Sequence, residues 1–539
     1  MISGAEMMVK CLEAEGVEMI FGYPGAAICP FYDALYGSEI REILVRQEQN
    51  AAHMANGYAR AAGVPGVCVA TSGPGATNLL TGIATAYMDS IPMVAITGQV
   101  MLDQLGRDSF QETDITGACE SITKHSYLVK EAADIPRVMK EAFHIAATGR
   151  PGPVLIDIPE DVQTREIRAF QYPETVNIVG YKPKVQGHPM QIKRALQAIA
   201  KAKKPVICCG GGVVLAGARE EMTAFANKSG IPIVSTMMGI GVMPMDSPVY
   251  LGMIGRFGRS YTNRAIREAD LIVFCGARVG DRAIAVPDLL AEAATVIHID
   301  VDPAEIGKNM QADIPIVGDI KQVLGVMAEQ VEETHCADWI RRVTAYKAEY
   351  RPHGSPRTDF VEPRLLIREL SEMMEENAIL VADVGQNQIW AARNFSQKEG
   401  RFLTSGGLGT MGYALPAAIG AKFAKPDRQV LAIAGDGAFQ MSFCELATAV
   451  GHGIPVKMVV MDNGYLGMVR EVQDRRYAGR YSGTALRGNP DFVALCRAYG
   501  IETVLAENNE DARKQAKRML ESESAFMMIC RVDPNTPSV

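Results

Sequence analysis

RQVLAIAGDGAFQ, residues 428–440, is the stretch on which the fold turns. Val430 to Ala434 are apolar without a break, as in a strand buried on both faces of a parallel sheet. The run stops at Gly435-Asp436-Gly437, and in open α/β sheets ligands gather just beyond the carboxyl ends of strands. A second run, IPVKMVVMDNG at 454–464, ends in the same manner and places Asn463 about 27 positions after Asp436. A hard divalent cation such as Mg²⁺ takes oxygen ligands in an octahedron shared between protein and phosphate. Asp436 can give a carboxylate oxygen, Asn463 an amide oxygen and Tyr465 a backbone carbonyl, with water and a diphosphate completing the shell. Gly435 and Gly437 let the backbone approach and aim N–H groups at phosphate. Gly-Asp-Gly alone would pass as an ordinary strand-to-helix turn. The asparagine at that separation, after a second strand, favours the ligand site.

Working outward, short apolar runs alternate with helical patterns nearly throughout, the signature of parallel α/β layers. The runs include VPGVCVATSG (64–73), PMVAITGQV (92–100), GPVLIDIPED (152–161), KKPVICCGGG (203–212), ADLIVFCGAR (269–278), ATVIHIDVD (294–302) and AILVADVGQNQ (378–388). A polar, proline-dotted stretch from Thr164 to His188 and a charged one from Glu333 to Arg364, carrying HGSPRTDF, interrupt the alternation. The fold expected is therefore three consecutive parallel-sheet α/β domains, over 1–165, 188–333 and 364–535.

A chain of 539 residues suits three domains of ordinary size, and 48% hydrophobic with 22% charged residues is a globular composition. The net charge of −8 leaves no basic surplus for phosphates, so no nucleic-acid partner is expected. Eleven cysteines are scattered, with Cys208-Cys209 the only close pair and no metal-type spacing. Free thiols in a reducing compartment follow. The start, MISGAEMMVKCLEAEG, reads as an amphipathic helix rather than a leader, and no apolar run is long enough to span a bilayer. A cytoplasmic chain with no membrane contact is expected.

The Asp436–Asn463 pairing resembles the motif of thiamine-diphosphate enzymes, and longer matches surround it. SGGLGTMGYALPAAIG (405–420), TSGPGATN (71–78), FGYPGAAICPFYDAL (21–35), GRPGPV (149–154), HIDVDPAEIGKN (298–309) and LGMVREVQ (466–473) together resemble acetohydroxyacid (acetolactate) synthase catalytic subunits, almost end to end. The resemblance implies an N-terminal pyrimidine-binding domain, a central Rossmann-like FAD domain and a C-terminal diphosphate/Mg²⁺ domain. It implies decarboxylation of pyruvate on thiamine diphosphate and transfer of the two-carbon unit to a second 2-oxoacid, pyruvate or 2-oxobutyrate, in branched-chain amino acid biosynthesis. Glu48 in VRQEQNAAHMANGYAR matches the glutamate that hydrogen-bonds the coenzyme's aminopyrimidine nitrogen. Read alone, RQEQN would be a polar surface helix. Met411 matches the residue that holds the two coenzyme rings in a V, a task suited to a large adaptable apolar side chain.

Further cofactor contacts carried over are Pro24, Gly25 and Asn78 in the first unit. In the third they are Val384, Gly385, Gln386, Asn387, Gly409, Gly435, Gly437, Ala438, Gly467 and Met468. The family builds its site from the first domain of one subunit and the third of another, implying a homodimer or homotetramer, with a small regulatory subunit as a further partner.

In the central unit CCGGGVVLAGA starts like a dinucleotide loop, but Leu215 takes the third glycine position of GxGxxG. The family nonetheless holds FAD there without net redox use. The matching positions are Arg150, Gly210, Gly212, Gly276, Arg278, Arg282, Asp300 and Asp319. Arg256-Phe257 and Gly280 depart from the usual spelling.

Near the expected substrate path Phe110 and Gln111 are retained. Val472 stands where the family usually carries a tryptophan associated with 2-oxobutyrate preference, Met101 replaces a common proline, and Ala26 a common glycine. Glu160 replaces a lysine, and Gln47 and Asn387 replace histidines. Another thiamine-diphosphate decarboxylase or carboligase, and a catalytically silent binding subunit, are the alternatives. The retained Glu48, Asp436 and Asn463 speak against the silent one.

Overall fold

The computed structural model describes residues 1–334, 336–350 and 359–539, so most of HGSPRTDF lies outside the described residues. Three six-stranded sheets follow one another along the chain, every neighbouring pair of strands parallel. The expected α/β architecture in three units is what the chain forms.

Counting strands in chain order within each unit, the first sheet runs 2-1-3-4-6-5, and the third repeats that order. The middle sheet runs 3-2-1-4-5-6, the dinucleotide-binding arrangement. The order reverses beside strand 1, and the crevice there is where such sheets bind ligands. In the first sheet the flanking strands are Met19–Tyr23 and Gly66–Ala70, leading into Pro24-Gly25 and TSGPGATN. In the third they are Ile379–Ala382 and Val430–Gly435, leading into Val384–Asn387 and Asp436. In the middle one they are Pro205–Cys209 and Leu271–Cys275, leading into Gly210–Gly212 and Gly276. Pro24-Gly25, TSGPGATN, Gly210–Gly212, Gly276, Val384–Asn387 and Asp436 thus sit at the reversal points of their sheets, while Asn463 follows the next strand over, Lys457–Asp462.

The N-terminal helix Gly4–Ala14 forms as its pattern predicts, closed by a capping box between Ser3 and Glu6. The stretch 164–188 is mostly irregular. Its two-residue strand Glu166–Ile167 pairs antiparallel with Ile2–Ser3, and Tyr172 donates to Glu15 at 2.7 Å.

The first and third units pack through the helices Glu48–Ala62 and Ala414–Ala424. Gly57 and Gly420 lie so close to the opposing backbone, at Ala417 and Met54, that no larger side chain would fit. One continuous core joins the two units. All eleven cysteines are free, and among the described residues no helix is long and apolar enough to cross a membrane.

Candidate active site

Glu48 opens its helix after an N-cap at Gln47, whose side chain accepts the Asn50 N–H at 3.2 Å. Asn78, in the first turns of the helix Pro74–Asp89, donates its amide to Glu48 Oε2 at 2.9 Å. Glu48 Oε1 faces Gly75, 3.5 Å from where a Cβ would stand. Gly25 and Gly75 both pack on Thr71, and Gln111 packs its backbone against Gly73. Gly25, Glu48, Asn78 and Gln111 therefore gather around the Thr71–Gly75 segment, with Pro24 next to Gly25 in the chain, as a candidate half-site. Gln111 holds φ +60°, a left-handed conformation unusual for a side chain of its type. Phe110 beside it is 87% exposed, and Met101 is exposed as well, so the expected substrate loop presents its apolar groups outward.

The second half-site lies in the third unit. Asp436 is buried, and its Oδ2 accepts from Gly464 N–H at 3.1 Å and Asn489 Nδ2 at 2.8 Å. Burial, opposed by the Asn489 bond and reinforced by neighbouring Asp462, pushes its carboxyl up to about 7. Two adjacent carboxyl groups of which one resists ionisation are a donor set that a cation would settle. Asn463 Oδ1 accepts from Tyr465 N–H at 3.0 Å, and its Nδ2 donates to Gln386 Oε1 at 3.0 Å. Gln386 in turn donates to Glu471 Oε1 at 2.6 Å, on the helix Gly467–Tyr477 that carries Met468 and Val472. Asn387 lies against Gly385 and Gly435, and the Met411 methyl lies 3.6 Å from where a Gly437 Cβ would stand. Among the described residues no three His, Cys, Asp or Glu side chains converge as a metal cage. A divalent cation here would need the mixed set of carboxylate, amide, carbonyl and diphosphate, and the protein's share of that set is present.

Buried carboxylates hold the loop 404–414 that carries Gly409 and Met411. Asp383 accepts from Val384, Gly412 and Ala414 N–H at 2.8, 3.0 and 2.8 Å; burial nonetheless pushes it up to about 6. Asp89, from the first unit, accepts from Gly406 and Gly407 N–H at 3.1 and 2.7 Å and lies 3.8 Å from Arg60. The sequence pattern marked none of Asp383, Asp89, Asn489 and Glu471.

A cavity of about 770 Å³ opens at the reversal point of the middle sheet. It is lined by Arg150, Gly212, Gly276, Arg278, Arg282, Asp300 and Asp319, all of the expected flavin positions except Gly210. Gly210 lies behind the wall, packed on Gly276 and Ala277. Leu215 and Phe257, two of the departures, line it too. Asp300 is buried and pushed up to about 6, while Asp319 caps the helix Ile320–Gln330 through Gln322 N–H at 3.0 Å. Size, cations and carboxylates placed after parallel strands fit a dinucleotide. Val384, Gly409 and Met468 line the same cavity from the third unit, so it runs up to the diphosphate half-site.

Three family models match the chain in order. They are the thiamine pyrophosphate enzyme N-terminal TPP binding domain at 2–118, the central domain at 192–327 and the C-terminal TPP binding domain at 383–530. A probable acetolactate synthase large subunit of Methanocaldococcus jannaschii is 46% identical over 99% of this chain and 92% of its own length. The acetolactate synthase large subunit of Corynebacterium glutamicum is 46% identical over 95% and 83%. That of Haemophilus influenzae is 44% identical over 93% and 89%. Identity at this level along nearly the whole length, together with Asp436 at the reversal point of the third sheet and Asn463 beyond the neighbouring strand, establishes that the chain belongs to the acetolactate synthase large-subunit family of thiamine pyrophosphate enzymes.

Proposed function

We propose that the chain condenses two 2-oxoacid molecules, pyruvate with pyruvate or with 2-oxobutyrate, releasing CO₂ and forming acetolactate or acetohydroxybutyrate for branched-chain amino acid synthesis. The observation that carries this is the pair of half-sites at matching reversal points of two sheets of identical strand order. Bound thiamine diphosphate supplies the electron sink for decarboxylation.

Asp436, Asn463 and the Tyr465 carbonyl would hold Mg²⁺ and, through it, the diphosphate. Gly435, Gly437, Ala438, Gly467, Met468, Val384, Gly385, Gln386, Asn387 and Gly409 would surround the diphosphate end, and Met411 would wedge the rings. Because Asn78 occupies Glu48 Oε2, Oε1 is left to share a proton with the aminopyrimidine nitrogen. Pro24, Gly25 and Gln111 would shape that end, while Ala26, Met101, Phe110 and Val472 would line the acceptor's path.

The family resemblance supports a site that a second copy of the chain completes, as homodimer or homotetramer. Arg150, Gly212, Gly276, Arg278, Arg282, Asp300 and Asp319 would hold FAD, with Gly210 keeping the wall thin. The domains would span 1–165, 188–333 and 364–535. The words large subunit in the relatives' names support a smaller partner chain, to which this reading gives a regulatory role in a cytoplasmic setting.

Purified chain given pyruvate, Mg²⁺ and thiamine diphosphate should form acetolactate. Acetaldehyde without acetolactate would overturn the assignment.

A further inference from the structure

Glu445 is a fully buried carboxylate that none of the roles above uses. It ends the short turn Phe443–Glu445, in the segment that follows Asp436, yet it reaches into the first unit. Its Oε1 and Oε2 both accept the Arg46 N–H, at 3.0 and 3.2 Å, and Oε1 accepts Asn50 Nδ2 at 2.9 Å. Thr448 Oγ1 donates to Oε2 at 2.6 Å. Arg46 and Asn50 bracket Glu48, and Asn50 is also tied to Gln47.

An apolar residue would fill this space without the cost of burying a charge. What the carboxylate adds is a directional grip on a backbone N–H in the turn that aims Glu48. A misplacement of about 1 Å at a reacting group can cost a hundredfold in rate. We propose that Glu445 is a positioning residue: it fixes the Arg46–Asn50 turn and thereby sets where the Glu48 carboxylate stands. The proposal rests on Glu48 being the proton-sharing residue. With sites shared between copies, each third unit anchors the coenzyme of one site through Asp436 and aims the glutamate of the other through Glu445.

The test uses the full chain loaded with thiamine diphosphate and Mg²⁺. Glu445→Gln keeps the side chain's size and removes one strong acceptor. The expected result is a kcat for pyruvate lowered roughly tenfold to a hundredfold, with KM changed less than about twofold. Backbone hydrogen exchange should quicken in 44–52 while protection elsewhere holds. An unchanged kcat, or a fall matched by lost protection throughout the chain, overturns the proposal. Should Glu445→Gln fail to fold, Thr448→Val decides, since it withdraws one donor and leaves the carboxylate. There kcat should fall about threefold with faster exchange in 44–52, and an unchanged kcat overturns the proposal. Glu48→Gln, run alongside, separates the two claims. Full turnover in that variant refutes the site itself, whereas lost turnover there beside a fully active Glu445→Gln refutes only the positioning role.

Discussion

Arg150 Nη1 lies 2.7 Å from Glu305 Oε1, joining the first unit to the second across the mouth of the large cavity. The same guanidinium reaches Asp302 at 3.3 Å, and its Nε donates to Ser90 Oγ at 2.9 Å. Glu305 has a nearly buried side chain and keeps Lys308 as its second cation at 3.1 Å.

Arg150→Ala therefore removes a cavity wall, a domain tie and a charge partner together. It should lower stability by about 1–3 kcal/mol and weaken flavin binding by roughly tenfold or more. Lysine should not restore both, lacking the planar fork. Thermal melting and visible absorbance of the purified protein check this; a variant with parental melting and colour contradicts it.

Asp300 gives the pH dependence. Burial holds its carboxyl at about 6 in the folded chain against the usual 3.8. Below about 6 the folded chain thus binds a proton that the unfolded chain still lacks. This group's contribution to stability grows as pH falls through that window and is lost as pH rises through about 6. Each hundredfold difference in proton affinity between the two states is worth about 3 kcal/mol, which bounds the effect. Melting of the flavin-free chain, compared with Asp300→Asn, should show the parent gaining on the variant from about pH 7.5 to about pH 5. A constant difference contradicts the assignment.

Asp436→Ala should weaken Mg²⁺-dependent binding of thiamine diphosphate by roughly a hundredfold, and Asn489→Ala, which removes a hydrogen bond to the same oxygen, by about tenfold. Titration calorimetry with the metal present reads both. Parental affinity in Asp436→Ala would remove that residue from the metal site.

Val472→Trp narrows the acceptor's path and restores a stacking surface. One such change in a pocket is worth about 1–3 kcal/mol, so the ratio of acetohydroxybutyrate to acetolactate from mixed substrates should rise roughly tenfold or more. An unmoved ratio would place Val472 outside the acceptor pocket.

The third sheet was legible from local pattern, because an apolar strand followed at once by Gly-Asp-Gly or Asp-Asn-Gly is a short-range signal. The flavin positions were legible only through resemblance: Leu215 breaks the loop pattern, and the 3-2-1-4-5-6 order that makes the crevice is a property of strand pairing. Glu445 was invisible for a plainer reason. CELATAV reads as the start of any helix, and the Arg46 N–H that gives Glu445 its meaning is 399 residues away. Asp383 and Asp89 share that reason, since each is defined by backbone N–H groups of a loop far along the chain.

The sharing of one coenzyme between two copies is tested most directly by a hybrid. Glu48→Gln and Asp436→Ala chains are co-expressed with different tags, and the dimer holding one of each is purified. It is assayed at a thiamine diphosphate concentration that saturates the parent but leaves Asp436→Ala unloaded, so that each variant alone is inactive. One of its two sites then keeps both Glu48 and Asp436, so it should form acetolactate at about half the parental rate. A hybrid as inactive as either variant alone would contradict a site built between neighbouring copies.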